Sequence, residues 1–280
     1  MNQPLYGAIE GGGTKFLVAV GEDPLQPCDV QRIPTSNHPE ETMQAVIDYF
    51  RSHPPLAGLG MASFGPVDFP AGAIGMTPKL AWQRYPLVER LSSALGTKVF
   101  LETDVNGAAI GEALFGAGRG LDSFVYITVG TGIGGGVVIN GQPLHGLLHP
   151  EIGHLPMRLH PNEPAGFAGV CPFHGDCLEG LASGPAMHAR WNQAAETLPP
   201  EHPGWPIEAY YLAQACLSLA CTLSPRRIVL GGGVPAHEPL IHMIRTELAR
   251  QCNGYLPLPD VVPPKLPLPA ISGALALAAR

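Results

Sequence analysis

The sequence predicts an α/β protein built from two copies of one plan. A strand–glycine turn–strand device near residue 5 recurs near residue 123, and runs with helical apolar spacing follow each copy. The length agrees, since 280 residues suffice for one large domain or two of ordinary size. With 45% hydrophobic and 14% charged residues the composition is globular, and 35 Gly with 31 Pro predict many turns, caps and stiff loops.

In the first copy, Leu5–Ile9 and Phe16–Val20 are short β-prone runs joined by Glu10-Gly11-Gly12-Gly13-Thr14. A polar loop follows. Met43, Val46, Ile47 and Phe50 then form the i, i+3, i+4, i+7 stripe of an amphipathic helix, with Pro39 near its start. A small-residue strand, Leu56–Ala62, ends at Ser63-Phe64-Gly65-Pro66. The strand Val99–Leu101 runs through Glu102-Thr103-Asp104 into a helix over about Val105–Leu114. The second copy has the strand Ser123–Val129, the turn Gly130-Thr131-Gly132 and the partner strand Gly136–Asn140. Helices are predicted over Leu178–Gln193 and Ile207–Ser224, then a strand Arg227–Leu230, the turn Gly231-Gly232-Gly233 and a helix near Pro239–Gln251. Six prolines keep Leu256–Pro269 out of a helix interior, and Ile271–Ala279 is a final short helix. The repeat predicts two lobes facing a cleft: residues 1–117, with 270–280 packing back on them, and residues 118–269, which contain a long loop over 145–180.

A formal charge of −7, with no long Lys/Arg run, argues against general nucleic-acid affinity. The opening MNQPLYGAIEGGGTKF lacks the basic start and apolar core of a signal peptide. Ala209–Pro225 is uncharged but carries Gln214, Ser218 and Thr222, and reads as a buried helix rather than a membrane span. No membrane partner is expected, and a cytoplasmic location is, where disulfides are disfavoured. Cys28, Cys216, Cys221 and Cys252 read as isolated small apolar residues. Cys171 and Cys177 do not.

Three glycine tips carry the first chemistry: Gly11-Gly12-Gly13, Gly130-Thr131-Gly132 with Gly134 to Gly136, and Gly231-Gly232-Gly233. Each could be a tight turn and nothing more. Stripped of side chains, however, such tips let backbone N–H groups close on phosphate oxygens. Thr14 and Thr131 add hydroxyls, and the third tip precedes a helix, whose N-terminus favours anions. The G-x-x-x-x-G-K-[ST] spacing is absent, so none is a P-loop. Asp104 follows a strand and is placed at the N-cap of the next helix. Capping alone would account for it; a general base at a strand's C-terminal end is the competing reading. Glu10 is a candidate for a metal shell. The third cluster is the most specific. His149-Pro150-Glu151-Ile152-Gly153-His154 precedes Cys171-Pro172-Phe173-His174-Gly175-Asp176-Cys177-Leu178-Glu179. C-x₂-H-x₂-C with an upstream His offers four ligands for a tetrahedral, structural Zn²⁺, which would pin the loop bearing Glu151 and Glu179. His145, His149 and His160 are lesser competitors for that metal.

These segments resemble the ROK family of sugar kinases and repressors, in its bacterial fructokinase branch, over nearly the whole chain. IEGGGTK resembles the family's first phosphate motif, which implies nucleotide roles for Gly12, Gly13, Thr14 and Lys15. ETDVNGAA resembles the segment of the catalytic aspartate, Asp104 here, and puts Thr103 and Asn106 beside the sugar. VGTGIGGG resembles the second phosphate motif (Thr131, Gly132). HPEIGH resembles the sugar-and-zinc signature, implying Glu151 on sugar hydroxyls and His154 on zinc at the edge of the sugar site. CPFHGDCLEGLASGP resembles the zinc loop of the fructokinase branch, implying Cys171, His174 and Cys177 as further ligands, Glu179 near the sugar and Pro185 beside the nucleotide. GGGVP resembles the adenosine-side turn (Gly232, Gly233). Thr103, where glucokinase-like members generally have Asn, and His174, which takes a ligand place in a zinc loop that is usually Cys-rich in those members, both favour the fructokinase branch. The resemblance implies an RNase H-like, actin/hexokinase-type pair of α/β lobes, a homodimer, Mg-ATP and one structural Zn per chain. The expected reaction turns D-fructose into fructose 6-phosphate. Glucose, mannose or an N-acetylated hexosamine as substrate, or a non-catalytic sugar sensor, are the alternatives. The family's repressors carry an N-terminal winged helix, for which no segment stands before Leu5.

Overall fold

A computed structural model describes residues 3–280 of the chain. It divides into two compact units. The first comprises Met1–Gly120, Gln142–His149 and Lys265–Arg280, and the second Leu121–Gly141 and Pro150–Pro264.

In the first unit, β1 (Tyr6–Gly11) and β2 (Lys15–Gly21) form the antiparallel hairpin read from the sequence. A third strand, β3 (Cys28–Pro34), extends it where the sequence reads as a polar loop. Every residue of β3 but Ile33 is exposed, so this edge strand carries no apolar alternation by which it could be recognised. Helix α1 (Pro39–Arg51) and β4 (Gly58–Ser63) follow, then a small hairpin of β5 (Val67–Asp68) and β6 (Ala73–Ile74). Helix α2 (Leu87–Leu95), β7 (Val99–Thr103) and α3 (Asp104–Phe115) complete this stretch. The sheet order is β3-β2-β1-β4-β7, with β1, β4 and β7 parallel.

Alternation along the strands sorts the two faces. Ile9, Phe16, Val18 and Met61 pack with Met43, Val46, Ile47, Phe50, Trp82, Leu87 and Leu91 on one side. On the other, Ala8 and Ala19 meet Ile271, Ala274 and Leu275 of the C-terminal helix α8 (Pro269–Ala278). Small residues here let a helix backbone approach. A Cβ on Gly60 would lie 1.9 Å from the Ala274 carbonyl oxygen, and one on Gly273 would lie 1.9 Å from that of Gly107 in α3. No larger residue fits at either point.

The second unit repeats the hairpin as β8 (Ser123–Val129) and β9 (Ile133–Ile139), after which the chain continues through the two-residue β10 (Gln142–Pro143). The order β9-β8-β11-β12 adds β11 (Arg227–Gly231) and β12 (Asp260–Val262) in parallel. Thus β2-β1-β4 in one unit corresponds to β9-β8-β11 in the other, the repeated plan predicted above. The single helix predicted over Leu178–Gln193 is two, α4 (Leu178–Ala182) and α5 (Gly184–Trp191). Pro185 has no N–H to give the Leu181 carbonyl, so the helix cannot run through. Arg190 Nη2 donates to that carbonyl instead, at 2.6 Å.

Helix α6 (Gly204–Leu223) contains the uncharged stretch and is largely buried against α7 (Glu238–Cys252). Among the described residues no helix is long and apolar enough to cross a membrane. Cys216 and Cys252 are buried as small apolar residues, whereas Cys28 and Cys221 are exposed; all six cysteines are free thiols.

One buried carboxylate holds the first unit's chain ends together. Glu112, in α3, is fully buried. It accepts the Ala117 N–H, the Lys265 N–H at 3.0 Å and the Leu266 N–H at 2.9 Å. Glu112→Ala strands these donors and is expected to cost about 3 kcal/mol, the scale of removing charge-assisted hydrogen bonds. The check is the urea-unfolding midpoint, which should fall clearly; an unchanged midpoint would mean that water replaces the carboxylate without loss.

Candidate active site

In the first unit the chemistry gathers where β7 becomes α3 with no intervening loop. Thr103, not Asp104, is the N-cap. Its Oγ1 accepts the Asn106 N–H at 3.1 Å, while Asp104 is the first helical residue and its Oδ1 accepts the Val105 N–H at 2.9 Å. Capping therefore does not account for Asp104, since a neighbour does that work. Asp104 keeps part of its surface open. Even so, burial pushes its carboxyl up to about 7, with the negative Glu10 adding to the shift and the Val105 amide and His149 opposing it. A helix N-terminus by itself would stabilise the anion, so burial outweighs the dipole here.

Glu10 is the penultimate residue of β1, next to the first glycine turn. Its carboxyl is also raised by burial, partly offset by Lys15. Two crowded carboxyls, one of which raises the other, are a good environment for a cation. The turn itself is tight: Gly12 N–H donates to the Lys15 carbonyl at 2.8 Å, and Thr14 is exposed. A Cβ on Gly13 would come within 3.1 Å of Lys79 Cε. That places a lysine beside the turn which no local motif in the sequence reveals.

Beneath Asp104 lies Glu102, nearly buried. Its Oε1 accepts the Thr103 N–H and Asn106 Nδ2, each at 2.9 Å, and its Oε2 meets His145 Nε2 at 3.0 Å. Thr103 and Asn106, predicted beside the sugar, are both buried and bonded within this junction. His145, considered above as a zinc competitor, is engaged by Glu102 instead.

In the second unit the glycine turn between β8 and β9 is tied to the metal loop. Glu179, near the start of α4, accepts the Ile133 N–H through Oε2 at 2.9 Å; a Cβ on Gly132 would lie 2.7 Å from that oxygen. Gly184 N–H donates to the Gly130 carbonyl at 2.8 Å, which sets the start of α5 and the exposed Pro185 against the same turn. Ser183 caps α5 by accepting the Ala186 N–H. At the third tip, Gly232 has φ +95° and a Cβ there would lie 2.3 Å from the Val129 carbonyl oxygen, so only glycine lets β11 end against β8. The segment after Gly233 is a short 3₁₀ turn, Val234–Ala236, and α7 starts only at Glu238. The turn thus leads into a single 3₁₀ turn rather than directly into the predicted helix.

His154, Cys171, His174 and Cys177 converge, with ligand atoms all within 4.8 Å of one another. His154 Nδ1 is 3.8 Å from Cys171 Sγ and 3.5 Å from Cys177 Sγ, and His174 Nδ1 is 3.8 Å from Cys171 Sγ. A tetrahedral Zn²⁺ with ordinary Zn–S and Zn–N bonds requires nitrogen–sulfur edges of about 3.6 Å, so these residues fit the ion. Burial, together with the adjoining Cys171, holds the Cys177 thiol up at about 11. His160 lies elsewhere, edge-on to Tyr210. The loop has a second anchor that the sequence does not reveal. Arg190 donates to Glu163 at 2.6 Å, lies 4.4 Å from the Phe167 ring centroid, and shares Glu163 with the Tyr211 hydroxyl. Glu151, predicted on the sugar, is exposed at the entry to the 3₁₀ turn Ile152–His154.

Comparison with known proteins agrees with this architecture. A fructokinase from Zymomonas mobilis subsp. mobilis is 42% identical over 91% of this chain and 88% of its own length. A fructokinase from Streptococcus mutans is 40% identical over 92% and 89%. The crystal structure of a ROK hexokinase from Thermus thermophilus superposes with a TM-score of 0.80 at 28% identity, covering 98% of both chains. The model of the ROK family matches residues 6–280, and the chain belongs to that family.

Proposed function

We propose that this protein is an ATP-dependent hexose kinase that phosphorylates D-fructose at its 6-hydroxyl. The observation that carries the reading is Asp104, a crowded carboxyl raised to about 7 at the first residue of α3 beside Glu10. The kinship to fructokinases over nine-tenths of the chain supports fructose as the sugar.

In the reaction, the Asp104 carboxylate takes the proton of the sugar hydroxyl as its oxygen bonds to the γ-phosphorus of ATP. The bond from that phosphorus to the β,γ-bridging oxygen breaks, and ADP leaves. Such a transfer needs little covalent help and much positioning. Gly12, Gly13, Thr14 and Lys15 at the first tip, with Thr131 and Gly132 at the second, hold the phosphates. Gly232, Gly233 and Pro185 take the adenosine side. Glu151, Glu179 and His154 read the sugar, with Thr103 and Asn106 supporting Asp104 from behind; Oε1 of Glu179 has no partner among the described residues. Mg²⁺ bound with ATP supplies charge neutralisation, and Glu10 would hold it directly or through water. Zn²⁺ at His154, Cys171, His174 and Cys177 supplies no chemistry, because four protein ligands close its sphere. A homodimer belongs to the same proposal.

Asp104→Asn is expected to bind ATP and sugar and to lose at least about 10²-fold in kcat, the scale of losing a general base; near-normal steady-state turnover rejects the assignment. The base acts as the anion, so kcat/KM should rise with pH through about 7 and level off above it. An acid limb centred near the ordinary carboxylate value of about 4 would count against Asp104 as the group that titrates. In an ADP-release assay across fructose, glucose, mannose and N-acetylated hexosamines, fructose should rank among the best substrates. A low rank would move the chain to another branch of its family. Metal analysis of freshly purified protein should return about one Zn per chain, and Cys177→Ser should lower that content and the thermal midpoint together. Zinc-free protein indifferent to chelators would remove the site.

A further inference from the structure

The mechanism above leaves the pair formed by Glu102 and His145 without a task. Glu102 cannot turn. One of its oxygens already holds the Thr103 amide and the Asn106 side chain, both buried at the β7–α3 junction. Its other oxygen therefore presents a fixed acceptor to His145 Nε2 at 3.0 Å. A fixed acceptor on one ring nitrogen puts the proton there and leaves the other nitrogen of a neutral imidazole with a lone pair. The ring plane is fixed as well, because His145 meets Phe69 edge to face at 4.7 Å and 82°. Phe69 also meets His149 edge to face at 6.5 Å, and His149 is one of the groups acting on Asp104. The two imidazoles and the proposed base therefore belong to one neighbourhood of the first unit.

Two further features separate this pair from an ordinary structural clamp. The His145 side chain is 39% exposed against 9% for Glu102, so the buried partner orients a ring that faces outward. Glu102 moreover has two donors on its other oxygen and needs no histidine to justify its burial. His145 Nδ1 has no partner among the described residues.

We propose that His145 is a sugar-reading residue: Nδ1, oriented through Nε2 by Glu102, accepts the hydrogen of a hexose hydroxyl. This rests on the kinase reading and deepens it. A polyhydroxylated ligand brings a donor with every hydroxyl, and the site must supply matching acceptors. Asp104 is committed to the reacting hydroxyl, and Thr103 spends its oxygen on the helix cap. His145 supplies an acceptor at a neighbouring position, and Glu102 is a positioning residue for it.

Steady-state kinetics of His145→Ala and His145→Gln, alongside wild type and with a set of monodeoxy hexoses, test this. Expected for His145→Ala is a hexose KM at least about 10-fold higher, the scale of a lost hydrogen bond to a desolvated group. The KM for ATP and the urea midpoint should stay as in wild type, and Gln should recover part of the loss. Removal of one particular hydroxyl should penalise wild type while leaving His145→Ala indifferent. Glu102→Gln should raise the hexose KM in the same sense if it folds; the His145 variants decide the matter without it. An unchanged hexose KM, an equal rise in the KM for ATP, or an equal penalty at every deoxy position overturns the proposal while the kinase reading stands. A wild type that phosphorylates no hexose overturns the kinase reading itself.

Discussion

Everything at the proposed catalytic carboxylate depends on one backbone constraint: β7 passes into α3 without a loop. Because Thr103 caps the helix, Asp104 begins it, and its direction is set by backbone geometry rather than by side-chain choice. Glu102 secures the junction from below through the Thr103 amide and Asn106. The helix cannot shift, since α8 lies against it at glycine contacts that admit no Cβ and Glu112 holds the returning chain at Lys265 and Leu266. Crowding is the price of this rigidity, and the same crowding brings the carboxyl to about 7, where a base is most useful near neutrality.

The second unit solves a different problem. A loop of more than twenty residues with little regular structure connects Glu151 to Glu179 and has to be held in one conformation. The converging side chains of His154, Cys171, His174 and Cys177, which draw its two ends together, provide one restraint. The Arg190–Glu163–Tyr211 cluster provides another, and it joins the loop to the broken helix pair α4–α5. Glu179 and Gly184 then carry that order to the glycine turn after β8. The Cys/His loop and the glycine turn are thereby parts of one hydrogen-bonded assembly, so loosening the loop should be felt at the turn.

Much of this was legible in the residues. The hairpins with their glycine tips declared themselves by composition. The amphipathic stripe of α1 did so by period, and the four metal-type ligands by spacing. The third strand was not legible, because an exposed edge strand such as β3 has no apolar face to give it a pattern. The break at Ser183 might have been read from Gly184-Pro185, but the helical composition on both sides masked it. Lys79 and Arg190 gave no local signal at all, and His145 was legible only as a lesser competitor for a metal. Their meaning lies in what sits beside them: Gly13, Glu163 and Glu102, distant in sequence.

The chain alone thus determined which chemical groups were available and where the backbone would turn, since turn chemistry and helix period act over a few neighbouring residues. The tertiary structure decided which carboxyl would be raised, which threonine would cap and which histidine would face a glutamate. Those outcomes depend on desolvation and on contacts between residues far apart in the chain, and no local pattern encodes them.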